Sequence, residues 1–235
     1  MVLLNYTELK NHNAINSISF RWRIKFNIYI RNEMPLIKYN NQSLSSITAL
    51  PSAIPTGKLK LISSQTASNS ASISFTSGLN STYKVYRFVF VNIKPRTDTV
   101  FFQFNLSIDS GSNYNVTKTT TVFYPYHNEA DSATSLGYGS PEDLAQSTAY
   151  QYLTTTASSD ADHGINGTMN LFNPASTTYV KHFISDIDYT NPDDFSVRTF
   201  VAGYGNTTSA INAIRFQMSS GNFDGTIYLY AIDNS

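Results

Sequence analysis

Apolar and polar residues alternate with a period of two along most of this 235-residue chain, and that period belongs to β-strands. In residues 99–108 (TVFFQFNLSI), Val100, Phe102, Phe104, Leu106 and Ile108 share one face. Residues 83–93 (YKVYRFVFVNI) are apolar on both faces, as in a strand covered from both sides. Residues 114–124 (YNVTKTTTVFY) are rich in β-branched side chains. Strands are also predicted at residues 57–64, 70–77, 167–172, 178–187, 195–204, 212–218 and 225–232. In the last of these, Ile227, Leu229 and Ala231 alternate with Tyr228, Tyr230 and Ile232, a pattern expected of a strand paired inside a sheet.

The connections carry turn chemistry. KPRTD (residues 94–98) reads as a hairpin connection opened by Pro95, and DSGSN (residues 109–113) as a second turn. One helix candidate stands out, SPEDLAQST (residues 140–148). Ser140 is placed to cap it, Pro141 to start it, and Glu142 and Asp143 to complement its dipole. Many short strands with almost no helix predict an all-β fold, a two-sheet antiparallel jelly-roll β-sandwich over residues 57–235.

The first 56 residues differ. Residues 43–57 (SLSSITALPSAIPTG) contain two prolines and little periodicity, so residues 34–56 read as an extended arm or linker. Residues 19–31 (SFRWRIKFNIYIR) form a strongly alternating strand pattern, with Phe20, Trp22, Ile24, Phe26, Ile28 and Ile30 opposite Arg21, Arg23 and Lys25. Five basic and two acidic residues fall within residues 1–33, against eleven and fourteen in the remainder.

Composition narrows the function classes. Sixteen basic and sixteen acidic residues give a net charge of +0, without the basic surplus of a nucleic-acid binder. There is no cysteine, which removes disulfides and thiolate chemistry. No apolar run approaches the ~18–20 residues that a spanning helix needs, and Val2–Leu4 is too short for a secretory h-region; neither nucleic acid nor membrane insertion is expected. Seven Asn-x-Ser/Thr sequons carry no weight in so Ser/Thr-rich a chain.

Residues 34–95, from MPLIKYNNQSL through SQTASNSASISF to YKVYRFVFVNIKP, resemble the opening of a group of tailed-phage virion structural proteins, common in marine and cyanobacterial phages. YHNEAD, LFNPASTTYVKHF and VAGYGNTTSAINAIRFQMSSGNFDGTIYLYAI extend the likeness to about residues 34–235. The resemblance implies a tail-fibre, appendage or capsid-surface (capsid decoration) subunit on the exterior of the particle. It also implies other virion proteins as partners, a homo-oligomer with a trimer favoured, and no catalytic activity. The family-like start falls at Met34, so residues 1–33 are either an added strand or the product of an upstream start.

Candidate chemistry is sparse. Paired carboxylates suited to glycoside hydrolysis occur only locally, as Asp160 with Asp162, Asp186 with Asp188, and Asp193 with Asp194. Each pair sits among turn residues that cap their own backbone. DIDYTNPDD offers oxygens for a loop calcium but lacks the order of an EF-hand loop, so no metal and no cofactor are assigned. Of the four histidines, His163 follows Asp162 and is either a ligand or, as is commoner, a turn histidine, and His182 lies on a strand. Neither a nucleophile elbow nor a phosphate-binding loop occurs, so no catalytic residue is named. Tyrosine offers sugars a flat apolar face with a polar tip. FYPYHNEAD makes Tyr124, Tyr126, His127, Asn128 and Glu129 the candidate glycan-binding residues. The leading expectation is a virion structural protein that assembles through its arm and displays its sandwich in host attachment. The alternatives are a lectin-like module recognising host-surface glycans, or a polysaccharide depolymerase.

Overall fold

The computed structural model describes residues 59–232. The expectations for residues 1–56, an added segment and an extended arm, lie outside the described residues.

Twelve strands follow in chain order: β1 (Leu59–Ser70), β2 (Ser72–Phe75), β3 (Val85–Pro95), β4 (Phe102–Ser107), β5 (Lys118–Asn128), β6 (Thr134–Tyr138), β7 (Gln151–Tyr152), β8 (Ile165–Phe172), β9 (Lys181–Thr190), β10 (Phe195–Gly205), β11 (Ala213–Met218) and β12 (Phe223–Ile232). Every pairing is antiparallel. An eight-stranded sheet runs β1-β12-β3-β8-β9-β10-β5-β6, and a four-stranded sheet runs β2-β11-β4-β7. The fold is therefore all-β with two antiparallel sheets, and there is no helix among the described residues. Strand β12 is inserted between β1 and β3. Its Ile227, Leu229 and Ala231 are fully buried while Tyr228, Tyr230 and Ile232 are half-buried, as the alternation predicts.

Aromatic rings join the sheets. Phe216 of β11 contacts Phe75, Phe88, Phe90, Phe102 and Phe104, with ring centroids 5.1–6.4 Å away. Phe104 of β4 meets Phe183 of β9 edge-on at 5.0 Å, and Phe90 of β3 meets Phe102 of β4 edge-on at 5.2 Å. Edge-to-face geometry sets the positive ring edge against the negative ring face, adding to the gain from burying so much apolar area.

Two sequence expectations are corrected. KPRTD is not a hairpin: β3 belongs to the larger sheet and β4 to the smaller. The connection crosses between layers, with Arg96 N–H donating to Asn222 O, Thr99 N–H donating to Ala157 O, and Thr99 in the left-handed region at φ 59°. Nor do residues 140–148 form a helix. Gly139 O accepts from Glu142 and Asp143 N–H, one turn's worth of bonding. Beyond it, Leu144 exchanges bonds with Thr120 and Ser147 with Lys118, so the edge of β5 claims the backbone a helix would need. The left-handed φ of Gln146, 49°, interrupts any helical continuation.

Two lysines are buried in this frame. Lys118 on β5 and Lys181 on β9 are both register partners of Gly205 on β10 and flank it. Lys118 Nζ donates to Asn105 Oδ1 and Val116 O, and Lys181 Nζ to Tyr179 O and Thr207 O. Burial pulls the Lys118 ammonium down to about 7 and lowers Lys181 as well.

Candidate functional site

The inward-facing parity of β5 passes from Thr120 and Val122 to Tyr124 and Tyr126, where the layers part and leave a groove. Its volume is about 380 Å³. Phe101, Thr155 and Thr156 line it from the smaller sheet's connections, Glu142 from the segment along β5, and Asn191, Asp193, Phe195 and Val197 from the β9–β10 turn and β10. Tyr126 is braced edge-on by Phe195 at 5.4 Å and lies 6.4 Å from Tyr124. Phe101 stacks on Tyr152 at 4.3 Å.

The walls are held by polar contacts. Asn191 Oδ1 accepts from the backbone N–H groups of Asp193 and Phe195, an Asx turn that closes the β9–β10 connection. The buried Tyr189 hydroxyl accepts from Thr155 N–H at 2.7 Å and also bonds the Thr155 hydroxyl. Burial drives Tyr189 up to about 12, against the opposing effect of its hydroxyl partners. Glu142 is the unusual member. Its Oε2 is buried without a hydrogen-bond partner, and burial, then the charge of Asp143, raises its carboxyl above the ordinary value. Tyr124 is raised by burial first and by Glu142 second.

Of the residues expected from sequence, Tyr124 and Tyr126 line this groove, and His127, Asn128 and Glu129 do not. His127 points to the opposite face of β5, 3.0 Å from Asp131 Oδ1. Asn128 closes the β5–β6 turn by accepting from Ser132 and Ala133 N–H. Glu129 donates its N–H to Asp194 O. The other wall residues come from distant stretches, and only Asp193 among them had drawn attention as a carboxylate.

The remaining candidates fall elsewhere. Asp186 and Asp188 lie within β9 and not in a turn as expected: Asp186 is held by Arg198 through two hydrogen bonds on the outer face of the larger sheet, which lowers its carboxyl, and Asp188, register partner of Arg198, is raised by burial. His182 is exposed, its ring 5.7 Å from Tyr204. His163 lies between two carboxylates, with Nδ1 3.9 Å from Asp160 Oδ2 and Nε2 3.8 Å from Asp194 Oδ1. One ligand atom from each lies within 4.8 Å of the others, so the cluster has donors suited to a divalent cation. Neither distance is a hydrogen bond, and His163 Nδ1 is buried without a hydrogen-bond partner.

The outer face of the larger sheet carries exposed apolar side chains. Phe123 stacks on Phe200 at 4.8 Å, and their strand neighbours include Leu136, Tyr138 and Ile184, the last three being 69%, 55% and 52% exposed. A depression of about 450 Å³ beside Ala202, bounded by His182, Ile184 and Tyr204, continues this face.

The chain matches no family model, no curated protein and no solved structure.

Proposed function

We propose that this chain is a non-enzymatic structural subunit on the exterior of a tailed-phage particle, a tail appendage or capsid-surface protein. In this reading the two sheets are a jelly roll enlarged to eight and four strands. The subunit assembles through its N-terminal arm and through the outer face of the larger sheet, with a trimer favoured. The sequence resemblance over residues 34–235 supplies the particle. The observation that carries assembly is the outer face where Phe123, Leu136 and Tyr138 are exposed beside the half-buried Phe200, with exposed Ile184 beyond the Arg198–Asp186 pair, since exposed apolar surface marks interaction sites. Removing residues 34–57 is expected to abolish incorporation into particles. Ile184→Asp with Leu136→Asp is expected to convert the oligomer to a monomer in light scattering. Unchanged incorporation together with an unchanged mass would refute the proposal.

The groove favours a second reading within the first, that the displayed sandwich binds host-surface glycans. Two tyrosines, two phenylalanines and two carboxylates converge there, the mixture of flat apolar faces and hydrogen-bond acceptors that sugars need. Retention of soluble protein on a glycan array, lost on Tyr124→Ala with Tyr126→Ala, tests it.

A further inference from the structure

Resting on the glycan-binding reading, we propose that the groove takes uncharged sugar residues, such as neutral hexopyranoses, and rejects glycans bearing carboxylates or sulfates. Three features of the groove carry this.

The first is the sign of its charge. Glu142 and Asp193 line the groove, and no lysine, arginine or histidine lines it. An anionic sugar would place a like charge beside both carboxylates in a partly desolvated space, where such juxtaposition is costly and nothing offsets it.

The second is the state of those carboxylates. Glu142 Oε2 is buried without a hydrogen-bond partner, which is rare for a buried polar atom and points to a missing partner. The Asp193 backbone is fixed by Asn191, while its side chain is exposed at the mouth and makes no hydrogen bond among the described residues. The exposed Asp193 carboxylate is suited to sugar hydroxyls: each neutral ring offers several O–H donors, and an ionised carboxylate has two acceptor oxygens for adjacent ones.

The third is shape. Tyr126 is held rigid against Phe195 and Tyr124, so an aromatic wall is preformed. At about 380 Å³ the space sits at the low end of the ~300–1,000 Å³ range of small-ligand pockets. It accommodates a short stretch of glycan, with recognition by stacking of sugar C–H groups on the rings and by the Asp193 carboxylate at the rim.

The test is titration of the full chain with neutral oligosaccharides (mannotriose, maltohexaose, chitotriose) and acidic ones (sialyllactose, a hyaluronan hexasaccharide), read by calorimetry. Binding is expected for at least one neutral glycan and none of the acidic ones. Tyr126→Ala is expected to weaken it at least tenfold. Asp193→Lys, a change at an exposed turn position that leaves the fold intact, is expected to lose neutral binding and gain acidic binding. An acidic glycan bound in a Tyr126-dependent manner would overturn the inference and leave the glycan reading standing. Neutral binding indifferent to both substitutions would overturn the assignment to this groove. Failure to bind either class would overturn the glycan reading itself.

Discussion

Lys118 Nζ lies 2.5 Å from Asn105 Oδ1, in a fully buried position where the only other acceptor among the described residues is the Val116 backbone carbonyl. No ion pair connects this lysine to a carboxylate among the described residues. The two acceptors match the two N–H groups of a neutral amine, and a third proton would have no partner.

A stability profile follows from this pair. Lys118 is held at about 7 in the folded protein, while the unfolded chain keeps the ordinary lysine value of 10.5. Between those values the unfolded state binds the extra proton, so stability rises as pH rises from 7 toward 10. Below 7 both states are protonated and the contribution is flat. One such group gives a slope of at most ~1.4 kcal/mol per pH unit. Urea midpoints at pH 7, 8 and 9 are expected to climb more steeply for the native chain than for Lys118→Met. Parallel profiles would show that Lys118 stays charged in the core.

Phe216 touches five other phenylalanines drawn from both sheets, so truncating it opens a cavity that no single neighbour can fill. Phe216→Ala is expected to cost ~3–5 kcal/mol and Phe216→Leu less. Equilibrium denaturation measures both. A loss below 1 kcal/mol for the alanine variant would mean that the sheets close over the gap.

Gly225 occupies an irregularity in the β3–β12 register with φ at 124°. A Cβ there would lie 2.5 Å from Asn92 O and 2.7 Å from Ile93 Cα, and backbone atoms cannot rotate away as a side chain can. Gly225→Ala is therefore expected to destabilise by more than ~1 kcal/mol, strain and clash acting together. The thermal midpoint is the readout, with Gly164→Ala as the control, since its nearest atom would be a permissible 3.7 Å away.

The Tyr189 hydroxyl holds the Thr155 backbone, and Thr155 is groove wall. Tyr189→Phe leaves that N–H without its acceptor, at an expected cost of ~1–3 kcal/mol. In the native protein one tyrosine is expected to resist ionisation until about pH 12 in an absorbance titration, and the variant to lack it. Equal numbers of late-titrating tyrosines in both proteins would contradict the assignment.

The strands legible from sequence were those with an apolar face to bury. β6 was not, because it is an edge strand whose Leu136 and Tyr138 face outward and whose inward Gly137 packs beneath Tyr124. β7, with two residues, is too short to show a period. Hairpin chemistry in KPRTD misled because a local pattern cannot say whether the next strand joins the same layer or the opposite one. For the groove, Tyr124 and Tyr126 are visible as a local cluster, whereas Phe101, Glu142 and Phe195 meet them only through the pairing of distant strands. The buried lysines did leave a trace. Lys118 shares parity with Thr120 and Val122, and Lys181 with Phe183, Ser185 and Ile187, which places both on the inner face. Lysine's usual exposure argues the other way.

The insertion of β12 between β1 and β3 bears on how the protein is made. It is the last of the twelve strands to leave the ribosome, yet it fills an interior lane of the larger sheet. Until it emerges, β1 has no partner strand among the described residues and one side of β3 stands open, each an invitation to pair with another nascent chain. Closure of the larger sheet thus waits on β12, and translation products cut short before it should accumulate as insoluble material.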